Sequence, residues 1–155
     1  MFPQNQKHWI IRVQDGENFR NSKYPFWGLK RGSGGGIKTI VKKIKPGDTL
    51  WFLTSKPYGG NFIGMSEYTC CYDREDEPLI PIHTYSNIDQ CWTGEGLWDI
   101  QIHYKNLYVT HKQNIQAIIQ CAGTILEYDT FKDKGLPDLH NHYNMFKYYT
   151  EPKFT

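Results

Sequence analysis

Leu97–Val109, LWDIQIHYKNLYV, is the stretch on which the reading of the fold turns. Trp98, Ile100, Ile102 and Tyr104 recur at every second position, and Asp99, Gln101 and His103 fill the positions between. That period of two, in β-branched and aromatic side chains, predicts a strand with one apolar and one polar face, ending or bending near Lys105-Asn106. Such a strand needs partners. Toward the N-terminus, Thr49–Leu53 (TLWFL) and Phe62–Tyr68 (FIGMSEY) read as two more strands, joined by the turn Thr54–Asn61 (TSKPYGGN) into a hairpin. Trp9–Val13 (WIIRV) reads as a buried first strand, followed by the turn chemistry of Gln14–Asn18.

Helical spacing is found at two places. Ile37, Ile40, Val41 and Ile44 form an apolar stripe with lysines on the other faces, and Pro46-Gly47 stops it. Ile115, Ile118 and Ile119 predict a second helix over Asn114–Cys121, ended by Gly123. Asn21–Trp27 is read as irregular because Pro25 interrupts it, and Gly32–Gly36 as a mobile loop. A long loop is expected from the acidic segment after Cys71 to about Gly96. The prediction is one α+β domain over residues 1–155, with 132–155 as a C-terminal tail.

Composition narrows the classes of function. Aromatic residues are 15% of the chain against 39% hydrophobic in all, so rings supply much of the apolar bulk and some remain for stacking. Net charge is only +2, which excludes a generic polycation and makes any basicity local. The four cysteines show no CxxC, MFPQNQKHW carries no apolar signal core, and no apolar run approaches the roughly 20 residues that span a bilayer. The expectation is a soluble intracellular protein, cytoplasmic or nuclear, monomeric, with reduced thiols and no membrane partner.

The local basicity lies in Asn18–Gly47, which contains no acidic residue and eight of the eighteen Lys and Arg. Trp27 sits inside this window, in NFRNSKYPFWGLKRGSGGG, and Trp92 lies in another polar, turn-like setting. A large apolar ring in such surroundings is held for a reason, whereas Trp9, Trp51 and Trp98 lie in strand-like runs and read as core. An aromatic group in a one-sign basic field suits a base held beside phosphates. Catalytic signals are weaker. Asp73–Glu77 reads as a solvated acidic face, His140-x-His142 with Asp138 is a sparse metal signature, and Cys70-Cys71 has no histidine at a catalytic spacing. Gly32–Gly36 precedes a helix but lacks both the P-loop ending and the GxGxxG spacing. No cofactor, metal or catalytic residue is therefore assigned.

Three stretches in order resemble the YTH and EVE families of the PUA-like superfamily, which bind modified or unusual bases. Asn21–Trp27 (NSKYPFW) is similar to the YTH pattern Ser-x-Lys-Tyr-x-x-Trp, and Leu53–Tyr68 resembles that family's Phe-Ser to Ala-Glu hairpin. Trp98–Tyr108 resembles its long strand, while Lys45–Asp48 (KPGD) looks closer to EVE proteins. The resemblance implies a curved mixed sheet, partly closed into a barrel, with flanking helices. It implies Trp27 as the first wall of an aromatic pocket and Trp92 as the opposing wall, with Tyr85 or His83 as a third ring. Arg12, Val13, Gln14 and Asn18 would read the base edge, and Ser22 and Thr54 belong to the same pocket. YTH families carry Lys-Ser where this chain has Arg12-Val13.

Two aromatic faces about 7 Å apart would stack a flat base, each worth about 1–3 kcal/mol. An amide such as Gln14 or Asn18 sorts donors from acceptors on its edge. Lys23, Lys30, Arg31, Lys38, Lys42 and Lys43 would supply the phosphate attraction. The expected function is a non-catalytic reader of modified nucleic acid, with N6-methyladenosine in RNA first and modified DNA second. An enzyme acting on nucleic acid through Asp73–Glu77 or His140–His142, and an adaptor for an acidic partner, are the alternatives.

Overall fold

Two apolar runs far apart in sequence lie side by side at the centre of the fold. β1 (His8–Arg12) pairs in parallel with β3 (Thr49–Leu53), from His8 opposite Thr49 to Arg12 opposite Leu53. The computed structural model describes residues 6–31, 36–75, 84–95, 97–109, 115–116, 123–131, 139, 142–144, 147 and 152–154. Its other strands are β2 (Phe26–Leu29), β4 (Asn61–Asp73), β5 (Ile100–Val109), β6 (Ile115–Gln116) and β7 (Ile125–Glu127). The sheet runs β2-β5-β4-β3-β1-β7, with β6 attached to β4. All described pairings except β1–β3 are antiparallel, so the sheet is mixed, and it curls into a half-barrel. Register shifts between Met65 and Glu67 and between Tyr68 and Cys70 provide bends in the long β4. Among the described residues the short helices α1 (Glu17–Asn21), α2 (Gly36–Val41) and α3 (Tyr128–Phe131) accompany it.

Both faces of the central strands are covered. One core holds Trp9, Ile11, Leu50, Phe52, Ile102 and Tyr104, and the second holds Ile10, Trp51, Leu53, Phe62, Leu139 and Tyr143. This is why β1 and β3 are continuous apolar runs rather than alternating ones. Several polar groups brought inside are paired. The Trp9 indole donates to the buried Asp48 carboxylate at 2.9 Å, which also accepts from the amides of Lys45 and Lys7 at 3.0 and 3.2 Å. The Trp51 indole donates to His8 Nδ1 at 2.8 Å.

Several expectations need correction. The strand read from Leu97 begins only at Ile100, leaving Trp98 outside it. Its polar face is also not solvated: Gln101 is 0% exposed, and His103 stacks on Phe26 with centroids 5.4 Å apart. Asn106 takes a positive φ of 51°, marking the expected bend, yet pairing continues to Val109. The irregular stretch expected over Asn21–Trp27 is shorter, because α1 runs from Glu17, inside the expected turn, to Asn21 before Pro25 can interfere, and β2 starts directly after that proline. The stripe Ile37–Ile44 packs on the core, but its helix stops at Val41 and continues as a turn. β4 extends to Asp73, into the supposed acidic loop. Ile115–Gln116 is a strand against Phe62 and Asn61 rather than helix, and the rest of Asn114–Cys121 lies outside the described residues. Gly32–Gly35, Asp76, Glu77, His83, Cys121, Asp138 and His140 also lie outside them. Cys70, Cys71 and Cys91 are free thiols. Among the described residues no helix is long and apolar enough to cross a membrane.

Candidate functional site

β2 is an edge strand, and the segment 84–98 folds against it. The clamp is Gln90, fully buried, whose side-chain oxygen accepts from the Tyr24 amide at 2.6 Å. Its nitrogen donates to the carbonyls of Tyr24 and Phe26, each at 3.0 Å. These bonds use the main-chain groups of the β2 approach that the sheet leaves open. They also deliver Trp92 onto Trp27.

Trp27 and Trp92 therefore meet, as the sequence suggested, but not as facing walls. Their centroids are 5.0 Å apart with planes at 57°, which leaves no room for a base between them. They are 7% and 6% exposed and belong to the core. The Trp92 indole donates at 2.8 Å to Ser22 Oγ, which donates at 2.9 Å to the Asn18 carbonyl. Trp92 also meets a third ring, Trp98, at 6.2 Å and 74°. It forms a surface shared by Trp27 and Trp98, steeply inclined to both.

Trp98, expected in the core, is half-buried at the core's rim, and its position is set by an absent side chain. A Cβ on Gly28 would lie 2.2 Å from the Trp98 ring, so the indole rests on bare β2 backbone. The indole nitrogen donates to Asn87 Oδ1 at 2.7 Å, and Asn87 Nδ2 donates to the Thr93 carbonyl at 3.0 Å. Lys30 places its ammonium 5.9 Å from the Trp98 centroid. Beside this ring opens a cleft of about 340 Å³, bordered by Gln14, Asn18, Lys30, Asn87, Thr93 and Trp98. Clefts that hold small ligands run from about 300 to 1,000 Å³.

The other expected pocket residues divide clearly. Gln14, at φ 55°, and Asn18 border the cleft. The Asn18 side-chain oxygen accepts from the Thr93 amide at 2.9 Å and lies 3.3 Å from its hydroxyl, so Asn18 also fixes the loop it faces. Ser22 acts one step back, through Trp92. Val13 is buried with its amide on Leu53, and the Arg12 guanidinium donates to the Gly123 carbonyl. Thr54 is consumed by the hairpin: its hydroxyl accepts from the Asn61 amide at 2.8 Å and donates to the Tyr58 carbonyl at 3.3 Å. Tyr85 stacks on Tyr24 at 4.3 Å rather than completing the tryptophan group. Trp98 takes that third place. Its spacing from Trp92, within a glycine-containing run before the strand, is the signal that strand periodicity concealed.

The basic window is not one-sign in space. Arg31 bridges Asp73 and, at 2.8 Å, Glu75, and Lys38 lies 3.7 Å from Asp73. Burial pushes the Asp73 carboxyl up, but the Glu75 amide, the Arg31 guanidinium and Lys38 outweigh it and hold it below the usual range. The hydrogen bond from Arg31 to Asp73 raises the guanidinium in turn. Arg31 and Lys38 thus pair within the protein, while Lys23, Lys30, Lys42 and Lys43 stand exposed. Among the described residues no three metal-ligating side chains come together.

Neither the models of known protein families nor the curated proteins match the sequence. Solved structures do. The chain is similar to the YTH domain of the Zygosaccharomyces rouxii MRB1 protein in complex with N6-methyladenosine RNA. The two share 15% identity and a TM-score of 0.53, over 97% of this chain and 93% of that one. The YTH domain of Pho92 in complex with m6A aligns at 14% identity and a TM-score of 0.45, over 95% and 87%. A hypothetical protein from Leishmania major aligns at 10% and 0.41, over 97% and 88%. The likeness to the MRB1 domain gives the chain a YTH-like fold.

Proposed function

We propose that this chain is a non-catalytic reader of a methylated base in nucleic acid, with N6-methyladenosine in RNA as its ligand, built on a YTH-like variant of the PUA-like architecture. The observation that carries this is Trp98, backed by Trp92 and bordering a cleft that Gln14, Asn18, Asn87 and Glu95 also line. A flat base entering the cleft lies on Trp98, and a methyl group on its exocyclic amine gains dispersion contacts with the ring at little desolvation cost. Gln14, and Asn18 where its bonds to Thr93 leave capacity, present donors and acceptors to the base edge. Lys30 beside Trp98 adds attraction for phosphate. The MRB1 domain, which has the same fold and was solved with N6-methyladenosine RNA, supports the choice of ligand.

Titration calorimetry with a single-stranded RNA carrying one central N6-methyladenosine, its unmethylated twin and the corresponding DNA pair tests this. Tighter binding of the methylated RNA is expected. Trp98→Ala, which removes a half-buried ring at the rim of the core, should lower that affinity by about tenfold or more in protein whose far-ultraviolet circular dichroism shows it folded. Equal affinity for methylated and unmethylated strands would overturn the proposal.

A further inference from the structure

Among the described residues three large apolar side chains stand out in solvent: Tyr58, Ile88 and Leu97. Each is tied to the cleft. Leu97 borders it, and Ile88 follows Asn87, which borders it. Tyr58 comes from a different element, the 3-10 turn Lys56–Tyr58 at the tip of the β3–β4 hairpin. That turn is anchored to the cleft's own backbone. The Tyr58 amide donates to the Ser55 carbonyl at 2.8 Å, and the Ser55 amide donates to the Gln14 carbonyl at 2.8 Å. The Thr54 hydroxyl holds the Tyr58 carbonyl, and Pro57 restricts the turn further. The turn is thus held by three hydrogen bonds, while Tyr58 is 58% exposed and its ring does little for the core.

An aromatic ring two hydrogen bonds along the backbone from Gln14 of the cleft has the form of a stacking platform. Lys56 stands exposed in the same turn and brings positive charge to the same place. Stacking on an aromatic side chain needs no particular base, because every base has a π-face, but it does need a base free of its partner. We infer that Tyr58 is the platform for the nucleotide flanking the methylated one, so that the ligand is an unpaired strand rather than an isolated modified nucleoside. This rests on the reading of the cleft given above and adds a second contact point to it.

The test uses the whole chain and three probes: the free N6-methyladenosine nucleoside, a single-stranded RNA pentamer with that nucleotide at its centre, and the unmethylated pentamer. Wild-type protein should bind the methylated pentamer more tightly than the nucleoside. Tyr58→Ala should lose about tenfold on the methylated pentamer and nothing on the nucleoside, and Tyr58→Phe should retain wild-type affinity for both. If Tyr58→Ala binds the methylated pentamer as the wild type does, or weakens nucleoside and pentamer alike, the platform is overturned while the cleft reading stands. If wild-type protein makes no distinction between the two pentamers, the cleft reading fails and the platform fails with it.

Discussion

Gly28 controls the candidate site without touching a ligand. Its missing Cβ is the space in which Trp98 lies, and Asn87 Oδ1 accepts from the indole nitrogen. Gly28→Ala should force the ring away, breaking the bond to Asn87 and destabilising the fold by about 1–3 kcal/mol, as overpacked sites do. The checks are the denaturant midpoint and the chemical shift of the Trp98 indole proton, which should move in the variant. Reading the sequence alone points to Trp27 and Trp92, because rings in polar turns are local features, and the resemblance to YTH and EVE proteins adds Gln14 and Asn18. It does not reach Gly28 or Asn87. Their importance comes from what packs on them, and a glycine in a strand-like run looks like any other until the ring above it is placed. Arg31 shows the converse: its neighbours in sequence are basic, yet its neighbours in space are Asp73 and Glu75.

Between elements, the decisive contact is the seam where 84–98 meets β2. Gln90 makes three hydrogen bonds across it and is wholly enclosed. Gln90→Ala should take the side-chain partner from the Tyr24 amide and the Phe26 carbonyl, at a cost of about 1–3 kcal/mol. Hydrogen exchange is expected to speed up at Tyr24 and Trp92 before it does so at Ile10 or Phe52. Unchanged protection at Trp92 would show that the tryptophan contact alone holds the seam. β1, β3 and the start of β4 were legible because their apolar runs are dense and flanked by turn residues. The seam was not, since a lone glutamine in a polar loop carries no sign that it will be buried. Asn114–Cys121 misled for a related reason: isoleucines at helical spacing also suit a short strand, and the free length of β4 selected the strand at Ile115–Gln116.

Taken as a whole, the molecule links its acid stability to one ion-pair group near the end of the sheet. Asp73, on the last residue of β4, meets Arg31 just beyond β2 and Lys38 on α2. Its carboxyl is held below the unfolded value of 3.8, so its contribution is complete above that pH and is lost as pH falls through the lower folded-state value. Arg31→Gln should therefore reduce stability by a constant amount at neutral pH, with the gap to wild type closing in strong acid. Urea melts from pH 7 down to pH 2 would reveal this. A gap that persisted unchanged at the acid end would assign the loss to packing instead.

The contact of Trp92 with Trp27 and Trp98 has an optical consequence. Three indoles whose neighbouring centroids lie 5.0 and 6.2 Å apart couple their transition dipoles and share excitation, whereas Trp9 and Trp51 are bonded separately to Asp48 and His8. The cluster should produce an exciton couplet in the far-ultraviolet circular dichroism spectrum. A base settling on Trp98 would change that couplet, so the protein carries its own chromophoric gauge of whether the cleft is filled.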